Sequence, residues 1–187
     1  MRAKSAAPIR HTRYSVTFSS HQSEPVVSLA TLKDVDEIVR LIEANSADHG
    51  GHISPEFGRA TIEGLLERSA IILTVRIGAR LAGVLFSTDK EFQFTPSVSA
   101  MLRAWPGRSS AYVYGPVCID ERDRGKGLLA KLFDELKKRL PGREAVLFIE
   151  RKNETSLRAH LRLGMRVVAE FSHRGKDFLV LHFVEEL

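Results

Sequence analysis

Arg122, Arg124, Gly125, Lys126 and Gly127 lie between an apolar run and an amphipathic one, a grouping suited to holding phosphate. Glycines at a helix start let an anion reach backbone N–H groups that lack intrahelical partners and carry the positive end of the helix dipole. Two arginines and a lysine add charge. An isolated Arg-Gly-Lys-Gly stretch is as readily a solvated turn before an ordinary helix, so its meaning depends on the elements around it.

Those elements can be read. Tyr112, Val113, Tyr114, Val117, Cys118 and Ile119 are mostly aromatic or β-branched and predict a strand, interrupted by Gly115 and Pro116. Proline cannot donate to a ladder and glycine marks bulges, so the strand is expected to bend or lose pairing there. Leu128, Leu129, Leu132, Phe133, Leu136 and Leu140 recur at helical spacing, with charged residues between them, until Pro141 and Gly142 stop the helix.

Three phosphate-binding classes compete for this loop. The P-loop pattern fails, because Gly127 stands where Ser or Thr would follow the lysine and no glycine lies at the upstream position. Gly125, Gly127 and Ala130 spell the dinucleotide pattern GxGxxA after a strand, with Glu150 ending the next strand at a plausible distance. The residues after Glu150 are too few for the rest of a doubly wound sheet, and those upstream would be unexplained. In the third class, residues 119–129 resemble the acyl-CoA pyrophosphate loop of the GNAT superfamily of N-acyltransferases: Arg or Gln, two residues, Gly, one residue, Gly or Ala. Arg122, Gly125 and Gly127 match it letter for letter. Arg124, Gly127 and Leu129 match its strand-to-loop spacing, and this second register is preferred. Asn153, Ser156, His160, Gly164 and Met165 stand at the spacing of the family's late helix, with His160 where a tyrosine is usual and Met165 where an aromatic is usual.

The resemblance covers about residues 26–184. It implies a mixed, mostly antiparallel α/β (α+β) sheet of about seven strands, splayed between strands 4 and 5 and flanked by about four helices. It implies acetyl transfer from acetyl-CoA to a primary amine by direct attack, with no metal. Backbone of Val117, Cys118 and Ile119 would meet pantetheine; Arg124, Gly125, Lys126, Gly127, Leu128 and Leu129 would meet the pyrophosphate; Asn153 would offer its amide. His160 and Tyr114 are the catalytic candidates, His160 either as an imidazolium near pKa 6.5 that protonates the CoA thiolate or as a packing residue. His49, His52, Tyr114, Glu91 and Asp120 are candidate bases. A non-catalytic acyl-CoA sensor and a dinucleotide-binding protein remain alternatives, and a homodimer is compatible with the resemblance.

The rest of the 187-residue chain suits one domain over residues 26–187, 43% hydrophobic, with no membrane-length apolar run. Of the net charge of +5, residues 1–26 carry +3, from Arg2, Lys4, Arg10 and Arg13 against Glu24. Residues 1–25 read as a basic, flexible leader, weakly like a transit peptide, or a misassigned start. The remaining basic residues are too dispersed for nucleic acid. Lone Cys118 excludes an internal disulfide and fits a reducing, cytoplasmic setting, where it is expected to pack within its strand.

A strand over 26–30 precedes a helix with Asp34 and Glu37 as a capping box. A His49–His52 loop follows, then a helix opened by Ser54 and Pro55 and carrying Phe57, Ile62, Leu65 and Leu66. Residues 71–75 and 81–87 read as a hairpin, 144–150 as the fifth strand, and 166–171 with 178–184 as a closing hairpin. The long connection 89–110 is either a helix filling the core edge or a pocket wall.

Overall fold

The computed structural model describes residues 23–53, 56–68, 70–92 and 95–185. Alternation of apolar residues along the strands gives one sheet two buried faces. Its seven strands are β1 (Pro25–Leu29), β2 (Ile71–Ile77), β3 (Arg80–Asp89), β4 (Tyr112–Ile119), β5 (Ala145–Glu150), β6 (Arg166–His173) and β7 (Lys176–Phe183), in the order β1-β2-β3-β4-β5-β7-β6. Only β4 and β5 run parallel; the other neighbours are antiparallel. The doubly wound dinucleotide arrangement is therefore not formed.

Among the described residues five α-helices cover the sheet, one more than expected: α1 (Val35–Ala44), α2 (Arg59–Glu67), α3 (Pro96–Ala104), α4 (Leu128–Arg139) and α5 (Glu154–Arg162). Leu128, Leu132, Phe133 and Leu136 of α4 pack against Leu73, Leu85, Tyr114 and Leu181 on one face. The alternate residues Ile72, Val84 and Phe86 pack on the other face against Ile38 and Ile42 of α1 and Ile62 and Leu65 of α2. Cys118 joins that second cluster, where burial pushes its thiol up to about 12, so it is an inert packing group. The extra helix is α3 in the 89–110 connection. Thr95 caps it, its Oγ1 accepting from Val98 N at 3.2 Å, and Val98 and Met101 fill a third cluster with Val113, Val146 and Val180.

Two local expectations are corrected. The capping box lies one turn earlier than Asp34 and Glu37: Thr31 N and Oγ1 both donate to Asp34 Oδ2, opening a short 3-10 turn, Leu32–Asp34, ahead of α1. Glu37 is drawn off to Arg76, which also binds Asp34 at 2.7 Å. Phe57 precedes α2 and meets Phe86 edge to face; Ser54 and Pro55 lie outside the described residues, as does most of the leader.

The break in β4 controls the site. β4 pairs with β5 only where Tyr112 faces Ala145 and Val113 faces Val146, just before Gly115 and Pro116. Pairing with β3 continues to Ile119 across a register shift after Leu85. One edge of β4 is thus tied to β3 while the other opens onto a gap. Among the described residues no helix is long and apolar enough to cross a membrane.

Candidate active site

The glycine loop starts where β4 ends. Asp120 Oδ1 accepts from Arg122 N at 3.0 Å and caps a 3-10 turn, Glu121–Asp123. Asp123 is buried between Arg80 Nη2 at 2.7 Å and Lys126 Nζ at 2.9 Å. Arg122 Nη2 donates to Asp120 Oδ2 at 2.6 Å, and Arg124 Nη2 to Asn45 Oδ1 at 2.8 Å. The cations that stand out in the sequence therefore hold the loop's shape. Hydrogen bonding to Arg122 keeps Asp120 at about 2; for Asp123, burial acts upward but Lys126 and Arg80 outweigh it and hold the carboxyl low. Arg122, Arg124 and Lys126 with Arg80 of β3 stand against Asp120, Glu121 and Asp123, a net charge of +1.

Gly125 and Gly127 both adopt φ of +77°, the left-handed region where glycine carries no Cβ penalty. Gly127 is the N-cap of α4, and Leu128 and Leu129 lie in its first turn, with N–H groups that have no intrahelical acceptor.

Inward from the loop, a cleft of about 340 Å³ occupies the gap between β4 and β5. Tyr114 to Val117 form one wall; Ile149, Glu150, Asn153, Ser156 and His160 form the other; Thr95, Ser97 and Val98 of α3 add a third, so the 89–110 connection serves both core and pocket. The structure thus gathers Tyr114, Val117, Asn153 and His160 into one cavity. Cys118, Ile119 and the 124–129 loop lie beyond its lining, further along β4 and into α4. Asn153 Oδ1 accepts from Ser156 N at 3.1 Å and caps α5, which leaves its amide nitrogen for other contacts.

His160 is 3% exposed. Its Nδ1 lies 2.8 Å from the Ser156 carbonyl, which only accepts, so Nδ1 carries the proton and Nε2 presents a lone pair. Burial lowers its pKa, the Ser156 hydrogen bond only partly opposing this, so the ring is neutral and the imidazolium acid expected from an ordinary pKa is scarce. The ring packs edge to face on Tyr114, whose hydroxyl pKa is raised by burial. His160 Nε2 and Tyr114 Oη are both buried with no hydrogen-bond partner. A buried polar atom left unpaired costs roughly 1–3 kcal/mol, so a molecule entering the cleft, water included, gains by bonding either atom.

The far end of the cleft carries groups that no local motif marks. The loop after α1 supplies His52, Glu56 and Phe57, the end of β5 supplies Glu150, and the β6–β7 turn supplies His173, Arg174 and Lys176. Gly51 makes the approach feasible, since a Cβ there would sit 1.9 Å from the Asn45 carbonyl oxygen. Glu150 Oε2 lies 3.0 Å from Lys176 Nζ and 3.6 Å from His52 Nδ1; burial acts upward on its pKa, but these partners hold it below the usual value. Among the candidate bases only Tyr114 and His52 line the cleft. His49 bonds Ser46, and Asp120 is committed to Arg122. Among the described residues no group of three or more His, Cys, Asp or Glu could hold a metal ion.

No protein-family profile and no curated protein match this chain. Solved structures do. A GNAT-family acetyltransferase from Streptococcus agalactiae superposes with a TM-score of 0.67 at 17% identity, covering 89% of this chain and 99% of that one. The ribosomal-protein-S18-alanine N-acetyltransferase of Escherichia coli does so at 0.63 and 12% identity, over 88% and 96%. A protein from Salmonella typhimurium, solved with its cofactor acetyl-CoA, gives 0.60 at 18% identity, over 87% and 94%. The sheet, its splayed parallel pair and the flanking helices are thus those of the GNAT fold.

Proposed function

We propose that this chain, built on the GNAT fold, is an N-acetyltransferase that moves an acetyl group from acetyl-CoA to a primary amine. The observation that carries the reading is a strand pair that separates after two residues, with a glycine turn and helix N-terminus at the end of the gap. The open edge of β4 from Val117 to Ile119 would bind the pantetheine arm, backbone N–H groups of residues 124–129 the pyrophosphate, and Asn153 the arm through its amide nitrogen.

Bound acetyl-CoA would supply a thioester carbonyl and a thiol leaving group. The chain's own residues then handle protons. Freeing an alkylamine of its proton at neutral pH costs about 4–5 kcal/mol, so the amine needs a base. Glu150, ionised at the mouth, attracts the ammonium, and His52 beside it accepts the proton. The neutral Nε2 of His160 takes the second amine proton as the N–C bond forms and returns it to the thiolate. That return runs downhill, because an imidazolium is a stronger acid than a thiol of pKa about 8.5. Tyr114, kept neutral by burial, donates a hydrogen bond only.

The test is thermal unfolding with acetyl-CoA and, separately, NAD, followed by amine-dependent release of the CoA thiol. Ligand at a hundredfold excess over Kd adds about 2.7 kcal/mol, several degrees for a domain of this size. A rise with acetyl-CoA and turnover of an amine supports the proposal. A rise with NAD alone overturns it, and acetyl-CoA binding without turnover of any amine assigns a sensor instead.

A further inference from the structure

The β6–β7 turn holds a residue that turn chemistry does not favour. Arg174 at φ +51° and Gly175 at φ +74° are the two central residues between the paired His173 and Lys176. Two-residue hairpin turns with both φ positive strongly prefer Asn-Gly, and a non-glycine residue in this region costs roughly 1–2 kcal/mol. Asn would make the turn more cheaply, so Arg174 is a costly choice if the turn is its only role. It stands on the cleft wall, where its ion pair with Glu56 is made by Nη1 alone at a long 3.4 Å.

A guanidinium fork matches a carboxylate, which it binds through two parallel N–H donors. The mouth's charges agree. Glu56 and Glu150 are balanced by Arg174 and Lys176, and each carboxylate is already paired with one of those cations. A polycation entering this end would meet as much positive charge as negative, whereas a molecule with one ammonium and one carboxylate matches both signs. Phe57, Phe148 and Phe178 supply an apolar wall, and 340 Å³ shared with an acyl end leaves room for a residue-sized molecule.

We propose that the acceptor is a free α-amino acid with an apolar side chain, its carboxylate bound by Arg174 and its amine directed to Glu150 and His52. This rests on the acetyl-transfer reading. In the transfer the thioester C–S bond breaks, an N–C bond forms on the α-nitrogen, one amine proton ends on the CoA thiol, and the carboxylate is unchanged.

The experiment measures CoA release by the full chain with L-phenylalanine, L-leucine and L-methionine, their methyl esters, and spermidine. The free acids are expected to exceed their esters at least tenfold in kcat/KM, although an ester's amine is the more readily deprotonated. Arg174→Asn, which suits the turn, is expected to raise KM for the acids tenfold or more, erase the acid-over-ester preference, and leave kcat within threefold and the acetyl-CoA thermal shift intact. Arg174→Lys, keeping charge without the fork, is expected to recover part of the loss. Preference for esters or spermidine, no turnover of the three acids while acetyl-CoA still raises Tm, or unchanged KM in Arg174→Asn overturns the inference. Failure of acetyl-CoA itself to raise Tm instead removes the acetyl-transfer reading beneath it.

Discussion

The two ends of the cleft are built by opposite strategies. The glycine loop is continuous in sequence: strand, caps, two left-handed glycines and helix N-terminus follow one another from Tyr112 to Leu129, and most of its side-chain bonds are local. The acceptor mouth draws His52, Glu56, Glu150, Arg174 and Lys176 from three separate segments, joined by ion pairs spanning up to 118 positions. A site that uses backbone N–H groups can be written locally, because helix starts and turns are local structures. A site that needs particular side chains around a small molecule cannot.

Substitutions at the two ends should separate accordingly. The largest effect is expected from Gly127→Glu, which sets a carboxylate at the N-terminus of α4 where an anion belongs. Acetyl-CoA should no longer raise Tm, while Gly127→Asn, which tolerates positive φ, should keep most of the shift. A full shift in Gly127→Glu would place the pyrophosphate elsewhere.

Next in size is His160→Phe. It removes the buried lone pair but keeps an aromatic ring against Tyr114, so turnover should drop by about 100-fold with acetyl-CoA affinity spared. Equal rates for variant and parent would reduce His160 to packing.

Glu144, outside both ends, tests the shared scaffold. Buried at 2% exposure, it accepts from Arg108 N at 2.5 Å and Trp105 Nε1 at 3.2 Å and lies 2.7 Å from His182 Nδ1. Glu144→Ala strands these donors and should cost about 2–3 kcal/mol in urea unfolding while leaving the acetyl-CoA shift in place. Burial acts upward on Glu144, but Arg108, His182 and Trp105 outweigh it and hold the folded pKa low. Its contribution is therefore complete above the unfolded value of about 4.3 and fades as pH falls through the lower folded value. The smallest effect follows: below about pH 4 the gap in Tm between parent and Glu144→Ala should narrow, and a gap that widened there would reverse the sign.

Much of the fold was legible because hydrophobic period and turn residues are local. The 71–75 and 81–87 runs predicted the β2–β3 hairpin, and Gly115 with Pro116 marked where β4 leaves β5. The capping box was misplaced because Asp34 satisfies either spacing pattern: it accepts from Thr31, while Glu37 on α1 is held by Arg76 of β2. Arg122, Arg124 and Lys126 suggested anion ligands, yet their partners Asp120, Asn45 and Asp123 show the side chains bracing the loop. Of the acceptor-side groups, His52 was a candidate base from its loop, whereas Glu56, Arg174 and Lys176 carried no local pattern and are brought together only by packing.

By itself the sequence determined the strand order and every helix but α3, the glycine turn feeding α4 and the spacing from Asn153 to His160, because each depends on neighbours a few residues apart. Tertiary structure alone decided that His160 is neutral with its Nε2 lone pair buried and that Glu56, Glu150, Arg174 and Lys176 share one mouth. Protonation follows from burial and partners, and burial is settled only when distant segments pack together.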